Sequence, residues 1–219
     1  MNQPKRVRLI LSLLELAAIV AAVLLDLFIP TLVILGLMVV SLLIRREHLR
    51  VMGFKRPPSW LRMAGFTLVA AVLLQLFDIG VIMPVMQRLT GATLDTSGVA
   101  NLQGNLGQLL LLLALSWTLA AIGEELAYRG YLQKVLRDLL GGSLLAVWLT
   151  VLLSSLLFGL AHTEQGLVGV VVATFDALVF SWLKRRFDDN LWAAILAHGF
   201  YNTTGVIAFY FLGPITGLW

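Results

Sequence analysis

The feature that most limits what this chain can become is a succession of long apolar stretches punctuated by short polar turns. They run from about Leu9 to Leu25, Thr31 to Ile44, Leu61 to Pro84, Leu106 to Ile122, Leu144 to Ala161, Gly166 to Leu183 and Leu191 to Leu212. A bilayer core of roughly 30 Å asks a helix for about 20 apolar residues, and most of these stretches approach that length. Of the 219 residues 59% are hydrophobic and only 13% charged, and the mean hydropathy is +0.92. A soluble domain is far less apolar. The expected fold is therefore all-α, a polytopic transmembrane bundle of about seven spans. No internal repeat, low-complexity tract or polar linker divides it, so residues 1–219 read as a single membrane domain. The second stretch is short for a crossing, and Asp26 to Pro30 reads as the tip of a tight helical hairpin.

The basic residues fall into clusters: Lys5, Arg6 and Arg8; Arg45, Arg46, Arg50, Lys55, Arg56 and Arg62; Lys134 and Arg137; Lys184, Arg185 and Arg186. Every second connection is basic. Those around Asp26, Thr90 to Asn105 and Thr163 to Gln165 are not, which places the N-terminus in the cytoplasm and the C-terminus outside. This pattern accounts for the net charge of +4 without nucleic acid. The stretch from Arg45 to Arg62 reads as a solvated or lipid-facing cytoplasmic surface. The N-terminus has the charge pattern of a signal peptide but no convincing cleavage site, and reads as a retained span. With no cysteine, disulfides, thiolate nucleophiles and cysteine-ligated metals are excluded.

Past Ile122 the helical pattern continues through Glu124 to Leu140, where Gly141 and Gly142 break it. Two placements are open. Either the fourth span ends near Glu124 and an interfacial helix follows, or one helix of roughly 50 Å carries the glutamates inside the membrane. In the second case, counting from the Gly141 turn brings Glu124 and His162 to similar depth. His198 counts out nearer the opposite, basic turn, a gap that only tilted or broken helices would close.

A charged group inside a span costs about 2.5 to 3.5 kcal/mol or more, so each one is a candidate for function. Here they are Glu124, Glu125 and Arg129, His162, His198 with Asn202, and the isolated Asp78 and Asp176. Glu125 and Arg129 are four apart and can pair, while Glu124 is turned about 100° away and is free to act as a base. Phe158 and His162, like His198 and Asn202, can each face one interior site. Such residues also serve as hydrogen-bonding glue between helices. Glue is the preferred reading for Asp78 and Asp176, which have no apparent partner, and Glu164 reads as a loop charge. Two histidines, a spare glutamate and an asparagine together favour an active site between the C-terminal four helices.

Glu124, Glu125 and Arg129 spell E-E-x-x-x-R, Phe158 and His162 spell F-x-x-x-H, and His198 and Asn202 spell H-x-x-x-N. In this order on successive hydrophobic helices they resemble the CAAX protease and bacteriocin-processing (CPBP, or Abi) family, with Tyr128, Gly130 and Ser155 fitting as well. The resemblance covers about Leu106 to Phe211, leaving 1–105 as N-terminal spans without a motif and 106–212 as the catalytic core. It implies an intramembrane endopeptidase acting on a membrane protein or peptide. Glu124 and His162 would activate water, His198 and Asn202 would stabilise the oxyanion, and Arg129 would anchor Glu125. A metalloprotease reading in the same family would make Glu124, His162 and His198 ligands of a zinc ion; the metal-free reading leaves Glu124 available as base. H-E-x-x-H, G-x-S-G and G-x-G-D are all absent. The alternatives are a noncatalytic scaffold or bacteriocin-immunity factor and, further off, an ion transporter using Asp78, Asp176 and Glu124.

Overall fold

The computed structural model describes residues 5–214, which form seven continuous helices and no strand. They are α1 (Lys5–Leu24), α2 (Pro30–Arg45), α3 (Trp60–Thr90), α4 (Leu106–Leu140), α5 (Leu144–Leu160), α6 (Gly166–Arg186) and α7 (Leu191–Leu212). The two chain ends, whose sidedness the charge pattern predicts, extend beyond the described residues. Four helices start on a side chain that accepts from a backbone N–H of the first turn: Ser59, Asn105, Ser143 and Asn190. Each satisfies a donor that the helix cannot satisfy itself. The hairpin tip between α1 and α2 turns through Asp26 and Phe28 at positive φ.

Burial is arranged for lipid. Leu13, Leu14, Leu43, Leu73 and Leu144 are exposed, whereas Asp78, Glu125, Arg129 and His198 are buried. In water this would be inside out; in a bilayer it places the apolar surface outward and the polar groups in the bundle interior. By length and composition α1, α3, α4 and the segment Thr163–Arg186 each suffice to cross a membrane. With 22 residues, α7 is long enough, but His198, Tyr201, Asn202, Thr203 and Thr204 in its middle make it more polar than those four. The chain is thus a multi-pass helical membrane bundle.

Helix α4 runs unbroken for 35 residues, the one long helix of the second placement. Between Ser116 and Leu132 it winds with the wider π spacing, and α3 has a shorter π segment at Asp78–Ile82. Helix α7 packs on α3, α4 and α6, and α5 packs on α6. The connection after α3 crosses one end of the bundle, tied by Asp95 N–H to the Gln165 carbonyl and by Gly104 N–H to the Tyr210 carbonyl, each at 3.1 Å.

The Arg45 to Arg62 stretch departs from the expected solvated face at its first residue. Arg45 is buried; it pairs with Glu15 at 2.7 Å and Asp138 at 3.2 Å and donates to Ser12 and Ser41. Acidic partners on α1 and α4 supply the counter-charge that a cation needs to leave water.

Candidate active site

The π-wound part of α4 carries the first motif. A π-helix spans one more residue per hydrogen bond than an α-helix, so it gains less length per residue and turns its side chains through a smaller angle at each step. Against it lies Gly199: a Cβ there would meet the Trp117 ring at 2.5 to 2.7 Å. Only hydrogen fits, so α4 and α7 approach closely beside His198, and Trp117 Nε1 donates to Thr203 at 3.1 Å. His198 nevertheless reaches the level of the two glutamates, 2.8 Å from Glu125 and 3.9 Å from Glu124, so the gap in depth that a straight-helix count leaves is absent from the folded chain. Gly199→Ala is expected to force the pair apart and cost about 1–3 kcal/mol, the usual range for overpacking, read as a lower melting temperature of the detergent-solubilised protein.

At this contact His198 Nδ1 donates to Glu125 Oε1 at 2.8 Å, and Arg129 Nη1 pairs with the same oxygen at 3.1 Å. Glu125 and Arg129 are fully buried. The Arg129 guanidinium also lies over the Phe158 ring, 4.1 Å from its centroid, a cation–π contact strengthened by desolvation. Phe158 is the hub: its ring is 5.1 Å from Tyr128, 4.6 Å from His162 and 6.1 Å from His198. Phe180 stacks on the other face of the constellation, 5.0 Å from the His198 ring and 19° from parallel.

Glu124 stands apart from this pair, half-buried, with Oε2 3.9 Å from His198 Nε2. That is too far for a direct hydrogen bond and within reach of a bridging water. His162 lies just past the end of α5, where Nδ1 sits 2.8 Å from the Phe158 carbonyl. A carbonyl only accepts, so Nδ1 carries the hydrogen and Nε2 is the nitrogen left for chemistry. Glu124, His162, His198 and Asn202 all line one cavity of about 670 Å³, together with Phe158, Phe180 and the 94–99 connection. Among the described residues no three His, Asp or Glu side chains are grouped to hold a metal ion, so Glu124, His162 and His198 do not form a ready ligand set for zinc.

Two clusters were not legible as partnerships in the sequence. Lys184, placed by the sequence in a basic connection with Arg185 and Arg186, is buried, and its Nζ donates to the Arg129 carbonyl and to Gln133 Oε1. Gln133 in turn donates to Ser154 at 3.1 Å and Ser181 at 3.0 Å. Lys184 thereby occupies a carbonyl in the π-wound segment that presents the glutamates. Asp78 and Asp176, read as isolated, interact with each other, and Tyr201 donates to Asp78 Oδ2 at 2.8 Å. The signal available was the four-residue spacing of Asp176, Phe180 and Lys184, which puts all three on one face of α6.

Residues 106–204, somewhat under half of the chain, match the sequence profile of the Rce1-like family, described as type II CAAX prenyl endopeptidase Rce1-like. No curated protein and no solved structure matches the chain. The match contains the three motifs and every cavity residue on which they fall, so this part of the chain is similar to the type II CAAX prenyl endopeptidases of the Rce1-like family.

Proposed function

We propose that the protein hydrolyses a peptide bond of a membrane protein or peptide at or within the bilayer, using Glu124 and His162 to activate water and His198 and Asn202 to hold the oxyanion. The observation that carries this reading is the convergence of all four on one cavity, with Glu124 free of the buried pair that fixes its neighbour. A water between the Glu124 carboxylate and His162 Nε2 gives up a proton as its oxygen attacks the scissile carbonyl carbon. The carbonyl oxygen becomes an oxyanion, to which Asn202 offers an amide N–H. His198 offers Nε2–H when its ring is doubly protonated, since Nδ1–H is committed to Glu125. Collapse of the intermediate breaks the C–N bond, and the departing amine takes the proton back from the Glu124 and His162 side.

Preorganised donors in a water-poor cavity stabilise developing charge most strongly, and removing one costs about 10²- to 10³-fold in kcat. Asn202→Ala is expected to lose activity on that scale with KM little changed, measured as kcat and KM on a peptide that the wild type cleaves. The proposed substrate is a membrane-presented peptide bond in general. The N-terminus is proposed to face the cytoplasm, from the basic connections.

The test is a comparison of membrane proteomes from cells carrying wild type or Glu124→Gln. Membrane proteins that lose a terminal fragment only with the wild type are the expected result and identify the substrate. Identical proteomes together with retained biological activity of the variant would point instead to a scaffold.

A further inference from the structure

The cavity has a one-sided charge. Its lining includes the carboxyl groups of Glu124 and Asp176 within and of Asp95 and Glu164 at the mouth, and no lysine or arginine. Asp95 lies outside the spans and is held below the ordinary carboxylate range by the Ser97 backbone N–H, so the mouth stays negative.

The deeper group carries the argument. Asp176 is 5% exposed, lines the cavity, and its Oδ1 has no hydrogen-bond partner. Behind it Asp78 is 0% exposed, and its Oδ1 is likewise unpartnered. One phenol hydroxyl, that of Tyr201, serves the pair. Other interior carboxylates have a cation: Glu125 has Arg129, and Glu15 has Arg45. Among the described residues no lysine or arginine makes an ion pair with Asp78 or Asp176; Arg129, paired with Glu125, acts on Asp176 only from beyond ion-pair distance. Gln75, three residues before Asp78, also lines this wall; its Oε1 would lie 3.0 Å from a Cβ on Gly205 and adds an acceptor. A carboxyl group with an unsatisfied oxygen and an amide group, both in the wall of a cavity that no lysine or arginine lines, are complementary to an incoming cation.

We infer that Asp176, with Asp78, Tyr201 and Gln75 around it, forms a subsite for a positively charged side chain of the substrate, a lysine or arginine close to the scissile bond. This rests on the hydrolase reading and adds to it the substrate class. The position follows from α6: Asp176 is four residues, about 6 Å of helix, from Phe180, whose ring stacks on His198. An extended peptide advances about 3.3–3.6 Å per residue, so the basic residue lies roughly one or two positions from the cleaved bond. The competing use of the same pair is to hold a proton between two carboxyls as glue between α3 and α6.

The test uses the full-length protein in nanodiscs with a proteome-derived peptide library, cleavage sites being read by mass spectrometry. The wild type is expected to enrich lysine or arginine about tenfold at one fixed position near the cleaved bond, the factor that one charge-assisted contact supplies. The enrichment should fall to background in Asp176→Asn and persist in Asp176→Glu. Absence of enrichment in the wild type overturns the inference without recourse to any variant, and so does enrichment that Asp176→Asn leaves intact. Cleavage that survives Glu124→Gln, or no cleavage by the wild type, overturns the hydrolase reading and this substrate class with it.

Discussion

Purified Glu124→Gln protein is expected to cleave any wild-type substrate about 10²- to 10⁴-fold more slowly, the span attributed to a positioned general base, while melting at the wild-type temperature. Both halves follow from the position of Glu124. Its carboxylate is half-buried in the cavity wall, with His198 Nε2 3.9 Å away. The amide occupies almost the same volume and still hydrogen-bonds, so packing survives. It has no lone pair basic enough to take a proton from water, so turnover does not. Single-turnover kinetics and a thermal scan on the same preparation check this; a large fall in melting temperature would assign Glu124 to the scaffold, and unchanged turnover would remove it as the base.

Arg129→Met should have the opposite profile, a loss of the fold together with activity. Methionine fills a similar apolar length, so the change isolates the guanidinium. Without it the Glu125 carboxylate, fully buried, keeps among the described residues only His198 as a hydrogen-bond partner. Removing one member of a buried pair strands the other charge and costs about 3–5 kcal/mol, to which the lost contact with the Phe158 ring adds. The expected readout is a marked drop in melting temperature and in yield from the membrane. Arg129→Lys should rescue only partially: an ammonium keeps the charge but cannot span Glu125 and lie flat on the ring at once. Near-wild-type stability of Arg129→Met would show that Glu125 is held by other means.

Much of the fold could be read directly. The last helix runs from Leu191 to Leu212, as its apolar stretch does, because Asn190 caps its start and Gly213 ends it. The Gly141 break and the hairpin turn after Asp26 are local events with local signals. Less legible was the winding of α4. Nothing in the run from Ser116 to Leu132 distinguishes π from α spacing, since both windings suit the same apolar residues.

The amino-acid order alone settled that this chain belongs in lipid, that its ionisable residues inside the spans are few, and which of them share a face of one helix, since period and hydropathy are properties of a segment. The meeting of helices lay beyond it. A hydrogen in place of a methyl at Gly199 lets α7 reach α4, Lys184 turns inward to a carbonyl of Arg129, and Asp78 meets Asp176 across α3 and α6. Rotation and depth between helices are set by close packing of side chains far apart in sequence, and a single turn's shift would have paired a different set of charges.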